Sequence, residues 1–250
     1  MKTFLHLLRK EIRGLIRTRR VLIVVLVFGG FGALAPVMAR LLPEMVAAVD
    51  PAAAGGQQVT VRDAIVQFVN LVSQLGSLAL IFLTMGLVCT DKSDGTMAFL
   101  VVKPVSRNAI ILAKFLSVVG LALLGALVAA GAFVVTTPLV LGAAVPWVFA
   151  GTVALVFVFA VTTVAIVLPV STIFHSQAAA GTVATLVWMV LGALADLPEL
   201  GRVIPGRMTR HAIGLVVGAP MDWLPLVGSA ALVAVAVVIA LLHFRRWEMG

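Results

Sequence analysis

The sequence predicts an all-α, polytopic helical membrane protein: six transmembrane helices behind an N-terminal amphipathic interfacial helix, with both termini cytoplasmic. Three observations carry that prediction. Of 250 residues, 62% are apolar and 11% are charged. An average soluble domain is about 25% charged, so a water-soluble globule of this composition would lack the polar surface to cover its core. The apolar stretches recur along the whole chain instead of forming one anchor, and the cations gather at their flanks.

The elements follow in chain order. Residues 2–18 have helical periodicity. At about 100° per residue, Phe4, Leu5, Leu8, Ile12, Leu15 and Ile16 share one face. Lys2, Arg9, Lys10, Arg13 and Arg17 fall on the adjoining face, with Arg20 next if the helix continues. Such a helix lies in the membrane surface, apolar side down. Each cation contributes on the order of 1 kcal/mol beside an acidic leaflet. The helix reads either as an anchor that fixes topology or as an elbow that also meets a cytoplasmic partner. The apolar segment after it is too long for a signal-peptide core. Ala33-Leu34-Ala35 also precedes Pro36, an unfavourable cleavage context, so the segment is expected to remain as a span.

A spanning helix needs about 20 mainly apolar residues. A charge at mid-bilayer costs roughly 2.5–3.5 kcal/mol, so spans belong in uncharged runs. Charges bound such runs at Arg20 to Arg40, Asp63 to Asp91, Lys114 to Asp196 and Asp222 to Arg245. The third is too long for one helix. Pro138, Pro146 and Pro169 mark breaks, as does the polar stretch 171–177, giving helices at 109–137, 147–170 and 177–196. The other spans fall at 21–42, 65–89 and 222–243. Six spans place both termini on one side. That side holds all 18 lysines and arginines except Arg40, Arg62, Arg202, Arg207 and Arg210, which makes it cytoplasmic. The loop 197–221 is then external despite its three arginines. Its apolar run Ala212 to Ala219 either lies in the interface or dips into the bilayer.

Several chemistries find no residues to support them. No His-Glu-x-x-His or Gly-x-Ser-x-Gly motif occurs. His6, His175, His211 and His243 are scattered without metal-ligand spacing, and Cys89 is the only cysteine, expected to be a packing residue. Gly86 to Ser93 approaches a phosphate-binding loop, but Asp91 stands where the second glycine belongs. A carboxylate there opposes the amides that cradle phosphate, so no ATPase and no bound cofactor or metal are expected in this chain. Ion-coupled carriers place acids at membrane depth, whereas Asp91, Asp196 and Asp222 sit at predicted helix ends, and no internal repeat is evident. Topology accounts for the cations, so no nucleic-acid partner is expected. Gln67, Asn70, Gln74 and Ser77 recur at helical spacing on one face of span two. They read as a substrate path or dimer interface, or as interhelical hydrogen-bond glue worth under about 1 kcal/mol per contact. Gly29, Ala33, Gly125, Ala129, Gly181 and Thr185 suit close helix packing.

The segment joining spans two and three is the most distinctive. Ser93 or Asp94 would cap a short helix carrying Met97, Phe99 and Leu100, Pro104 would end it, and Ser106 or Asn108 would cap span three. A short amphipathic helix at the membrane edge suits a partner's groove. Asp91, Asp94-Gly95-Thr96, Pro104-Val105-Ser106-Arg107 and Lys114 together resemble the hallmark of ABC-2 type transporter permeases. The N-terminal Arg9-Lys10-Glu11 and the ending Phe244-Arg245-Arg246-Trp247-Glu248 resemble the same family, as do six spans in one domain over 1–250. The family usually carries glutamate in the acidic turn, where this chain has Asp91 and Asp94. The resemblance implies the transmembrane permease subunit of an exporter for a hydrophobic or amphipathic substrate, in a bacterial or archaeal cytoplasmic membrane. It implies a separate ABC ATPase subunit that binds ATP and Mg, and a second permease copy or paralogue. It also implies coupling through residues 1–20 and 90–108, which includes Arg9, Lys10, Glu11, Asp91, Asp94, Gly95, Thr96, Pro104, Ser106 and Arg107. The alternatives are an ATP-independent carrier or channel, and a membrane assembly factor with no transport role.

Overall fold

The structure is a computed structural model that describes residues 2–49, 59–93 and 106–245. Among the described residues there are helices and turns but no strand. Six stretches are long and apolar enough to cross a membrane: Arg20–Pro43, Val61–Asp91, Arg107–Leu141, Phe149–Ile173, Gln177–Leu194 and Leu224–Arg245. They coincide with the six predicted from charge boundaries.

Helix α1 (Lys2–Arg17) is the amphipathic segment. It stops at a two-residue corner where Arg19 takes φ 57° and the Thr18 hydroxyl donates to the Gly14 carbonyl at 2.8 Å. Left-handed backbone costs a side-chain-bearing residue about 1–2 kcal/mol. The corner therefore separates α1 sharply from α2 (Arg20–Val49), and Arg20 does not continue α1.

Span two is segmented. A capping box opens α3 (Val61–Asn70): the Asp63 amide donates to the Thr60 hydroxyl at 3.4 Å, and the Thr60 amide donates to the Asp63 carboxylate at 2.8 Å. A π-helical turn follows at Leu71–Leu75. Then come α4 (Gly76–Thr84), a turn, and the short α5 (Cys89–Ser93). Helix α6 (Arg107–Leu141) begins at Ser106, whose hydroxyl accepts from the Ala109 amide at 3.3 Å. Removing that cap with Ser106→Ala is expected to cost about 1 kcal/mol, read as a lower thermal midpoint in detergent. The expected caps at Ser93 or Asp94 and the helix carrying Met97, Phe99 and Leu100 fall at or beyond the edge of the described residues.

Pro138 and Pro169 do not break helices. They lie inside α6 and α7 (Phe149–Ile173), as Pro36 and Pro43 lie inside α2. A proline removes one backbone donor and frees a carbonyl four residues back. Membrane helices tolerate this where neighbouring hydroxyls hold the backbone. The freed carbonyls are those of Val134 and Ala165; the nearby Thr137 and Thr172 hydroxyls donate instead to the Phe133 and Pro169 carbonyls, each at 2.7 Å. The chain leaves α6 at Gly142, with φ 68°, a conformation glycine adopts without strain. It leaves α7 at Phe174, in extended backbone.

Helix α8 (Gln177–Leu194) follows, capped by the Ser176 hydroxyl. Two 3₁₀ turns, Leu200–Arg202 and Pro205–Arg207, lead into α9 (Met208–Val216), and α10 (Leu224–Arg245) completes the bundle. Helix α9 is not a free interfacial run. Met208 and Ala212 are buried, and the Thr152 hydroxyl of α7 donates to the Ala212 carbonyl at 3.0 Å. Two of the three loop arginines find acids within the loop, Arg202 with Glu199 and Arg210 with Asp196.

Helix α7 is the most enclosed of the six spans, with 67% of its most apolar stretch buried against 17% for α8. Helices α2 and α6 pack against each other more extensively than any other pair among the described residues. At Gly32 a Cβ atom would meet the Ala129 backbone, and at Gly125 it would stand 3.1 Å from the Phe28 ring. These small residues let the two helices touch, as small-residue spacing does in membranes. At the end of the bundle near Thr60, Phe68, Phe133 and Phe149 join α3, α6 and α7, with ring centroids 4.6 to 5.1 Å apart. Aromatic pairs of this kind contribute about 0.5–1.5 kcal/mol each beyond burial.

Candidate functional site

The opposite end of the bundle carries a charged junction. Lys114 lies seven residues into α6, about 10 Å along its axis, and its side chain is only 4% exposed. A buried ammonium needs partners, and two carboxylates supply them. Asp91 of α5 approaches at 2.5 Å and Glu11 of α1 at 3.3 Å. Lys10 lies 3.7 Å from Glu11, but it is 50% exposed, so that pair contributes little. Lys114 is the structural hub, because a cation this shielded cannot turn to water when a partner leaves.

A second set of bonds closes the same end. The Arg107 guanidinium donates to the Arg245 carbonyl at 2.8 Å. The Arg245 Nε donates to the Asn108 side chain at 3.0 Å. Helices α1, α5, α6 and α10 are thereby fastened together by polar contacts at one end. Of the candidate coupling residues, Glu11 and Asp91 meet in this junction through Lys114, and Ser106 and Arg107 begin the helix that carries it. Arg9 and Lys10 are exposed on α1. Asp94, Gly95, Thr96 and Pro104 lie outside the described residues.

Sequence reasoning placed Lys114 in a motif but not among the site residues. The available signal was its isolation: it is the first charge after Arg107 and the last before Asp196. An isolated cation two turns inside an apolar helix calls for an acid from another element.

The polar stripe of span two does not share one face. The π-helical turn at Leu71–Leu75 sits between Asn70 and Ser77 and inserts an extra residue in the helical register, a feature often found at functional sites. Ser77 is therefore turned into the bundle, 3.3 Å from the Thr163 hydroxyl of α7. Asn70 and Gln74 remain exposed, and Gln67 is half-buried. Ser73, within the π turn, is buried, and its hydroxyl meets no partner among the described residues. Two exposed amides on a spanning helix would be costly against hydrocarbon, so this surface fits contact with something polar.

Residues 5–248 match the family model described as "ABC-2 family transporter protein". No curated protein matches the chain.

Proposed function

The chain belongs to the ABC-2 family of transporters and is a multi-pass membrane permease component of an ABC transporter; from that footing we propose that it is an export subunit driven by a separately encoded ATPase. The Glu11–Lys114–Asp91 junction is the observation that carries this reading. It joins the N-terminal helix and the end of span two to one buried lysine on α6. Both acids lie in segments whose residues resemble the family's coupling elements. Movement imposed on either segment by a partner would therefore act on the long α6 helix.

In this reading the junction faces the cytoplasm, in keeping with the cation surplus there. ATP and Mg bind the partner, and a second permease copy or paralogue completes the pathway. The cargo is hydrophobic or amphipathic. The exposed Asn70 and Gln74 face the pathway or the second copy.

Reconstitution tests the reading. Vesicles holding the permease together with the ATPase from a neighbouring reading frame are expected to move cargo only when ATP is supplied. Uphill transport by the permease alone would replace this reading with that of an ATP-independent carrier. A second expected result concerns the amides. Asn70→Leu should leave ATPase assembly intact, measured by co-purification, while altering the transport rate. An unchanged rate would remove Asn70 from the pathway.

A further inference from the structure

We propose that the groove between α1 and α6 is a discrete seat for one acyl chain of an anionic glycerophospholipid, with the headgroup held by the neighbouring arginine row of α1. The groove has a volume of about 330 Å³, within the range of small-ligand sites. Its walls are two ridges of side chains at four-residue spacing: Leu8, Ile12 and Ile16 on α1, and Leu116, Gly120 and Leu124 on α6. Ile12 and Ile16 are 43% and 60% exposed. The two helices hold each other through Glu11 and Lys114, yet leave this channel open beside that contact.

The occupant follows from what surrounds the groove. Its apolar walls at the edge of a spanning bundle suit hydrocarbon and not water. The ridge next to Leu8-Ile12-Ile16 on the same helix is Arg9-Arg13-Arg17, one residue on at every step, and all three arginines are exposed. A chain lying in the groove would thus have its headgroup beside a row of guanidiniums. Charge complementarity selects an anionic headgroup, and guanidinium suits its phosphate. Gly120 sets the depth: no atom lies within 4 Å of where its Cβ would stand.

The test uses the full chain, purified in detergent, stripped of lipid, and offered equimolar phosphatidylglycerol and phosphatidylcholine. Bound lipid is counted by native mass spectrometry. Wild type is expected to retain one phosphatidylglycerol per chain with a preference of at least about fivefold, the factor one cation supplies beside an anionic surface. Gly120→Phe, which fills the groove, should lose that lipid. Arg13→Gln with Arg17→Gln should keep a bound lipid but lose the preference. Helical circular dichroism identifies folded variants. Equal retention of both lipids by wild type overturns the proposal, as does undiminished phosphatidylglycerol on folded Gly120→Phe. Wild type that retains no lipid also overturns it, the groove then being filled by protein. Displacement of the lipid by inorganic phosphate at equal concentration would reduce the seat to an anion site and overturn the acyl-chain assignment. If Gly120→Phe does not fold, the arginine pair decides, and an unchanged preference there rejects the proposal.

Discussion

Lys114→Met is expected to destabilise the fold and to reduce ATP-driven transport to background. The substitution leaves Glu11 and Asp91 near one another without the cation that pairs with both. Removing one partner of a buried pair costs about 3–5 kcal/mol. The two acids retain 17% and 26% exposure, so the lower end applies. A thermal midpoint in detergent would read this loss. Stability and coupling can then be separated. Adding Glu11→Gln and Asp91→Asn to Lys114→Met removes every charge of the junction. Uncharged replacements of buried ion pairs are often neutral or stabilising, so the triple variant should regain much of its stability. It should not regain transport if the charges couple α1 and α5 to α6. A triple variant that transports like wild type would show that the junction serves stability alone. Lys114→Arg keeps the charge and should retain part of the activity, limited by a bulkier, planar head.

Gly32→Val is the second large effect. The backbone of Ala129 occupies the place where any Cβ at Gly32 would go. Backbone cannot rotate aside as a flexible side chain can, so α2 and α6 would have to separate along their length. Overpacking of this kind costs about 1–3 kcal/mol and sometimes more. The valine variant is expected at or above the top of that range, with Gly32→Ala following at a smaller loss. Gly131→Ala, where the added methyl meets nothing within 4 Å, is the control. It should be neutral or stabilising by about 0.5–1 kcal/mol, since alanine is the better helix former. Thermal unfolding of all three by circular dichroism gives the comparison. A wild-type midpoint for Gly32→Val would mean that the two backbones do not approach this closely.

The spans were legible because charge is expensive in hydrocarbon, so charged residues outline each helix. The sites of chain reversal were harder to read. Pro138 and Pro169 have the local chemistry of breaks, yet the helices continue through both, and the break after α6 falls at Gly142 instead. The stripe from Gln67 to Ser77 fails as one face because a π turn has no composition of its own. Residues 71–75 read as ordinary helix, and only the register shift reveals them. The junction was half legible. Glu11 and Asp91 stood out through resemblance to family motifs, while Lys114 became a site residue only when two sequence-distant acids were seen to converge on it. The same Asp91 that disqualifies Gly86–Ser93 as a phosphate loop is one of those acids.

Helix α6 is gripped twice, by ions at Lys114 and by stacked rings at Phe133, and the two grips lie 19 residues apart, about 28 Å along the axis. The rings form a greasy pivot and the ions a latch. With the pivot fixed, each ångström of sideways pull at the latch becomes about 2° of swing in the rod between them. A modest stroke delivered at one face of the bilayer would then be felt as an angle across most of its thickness.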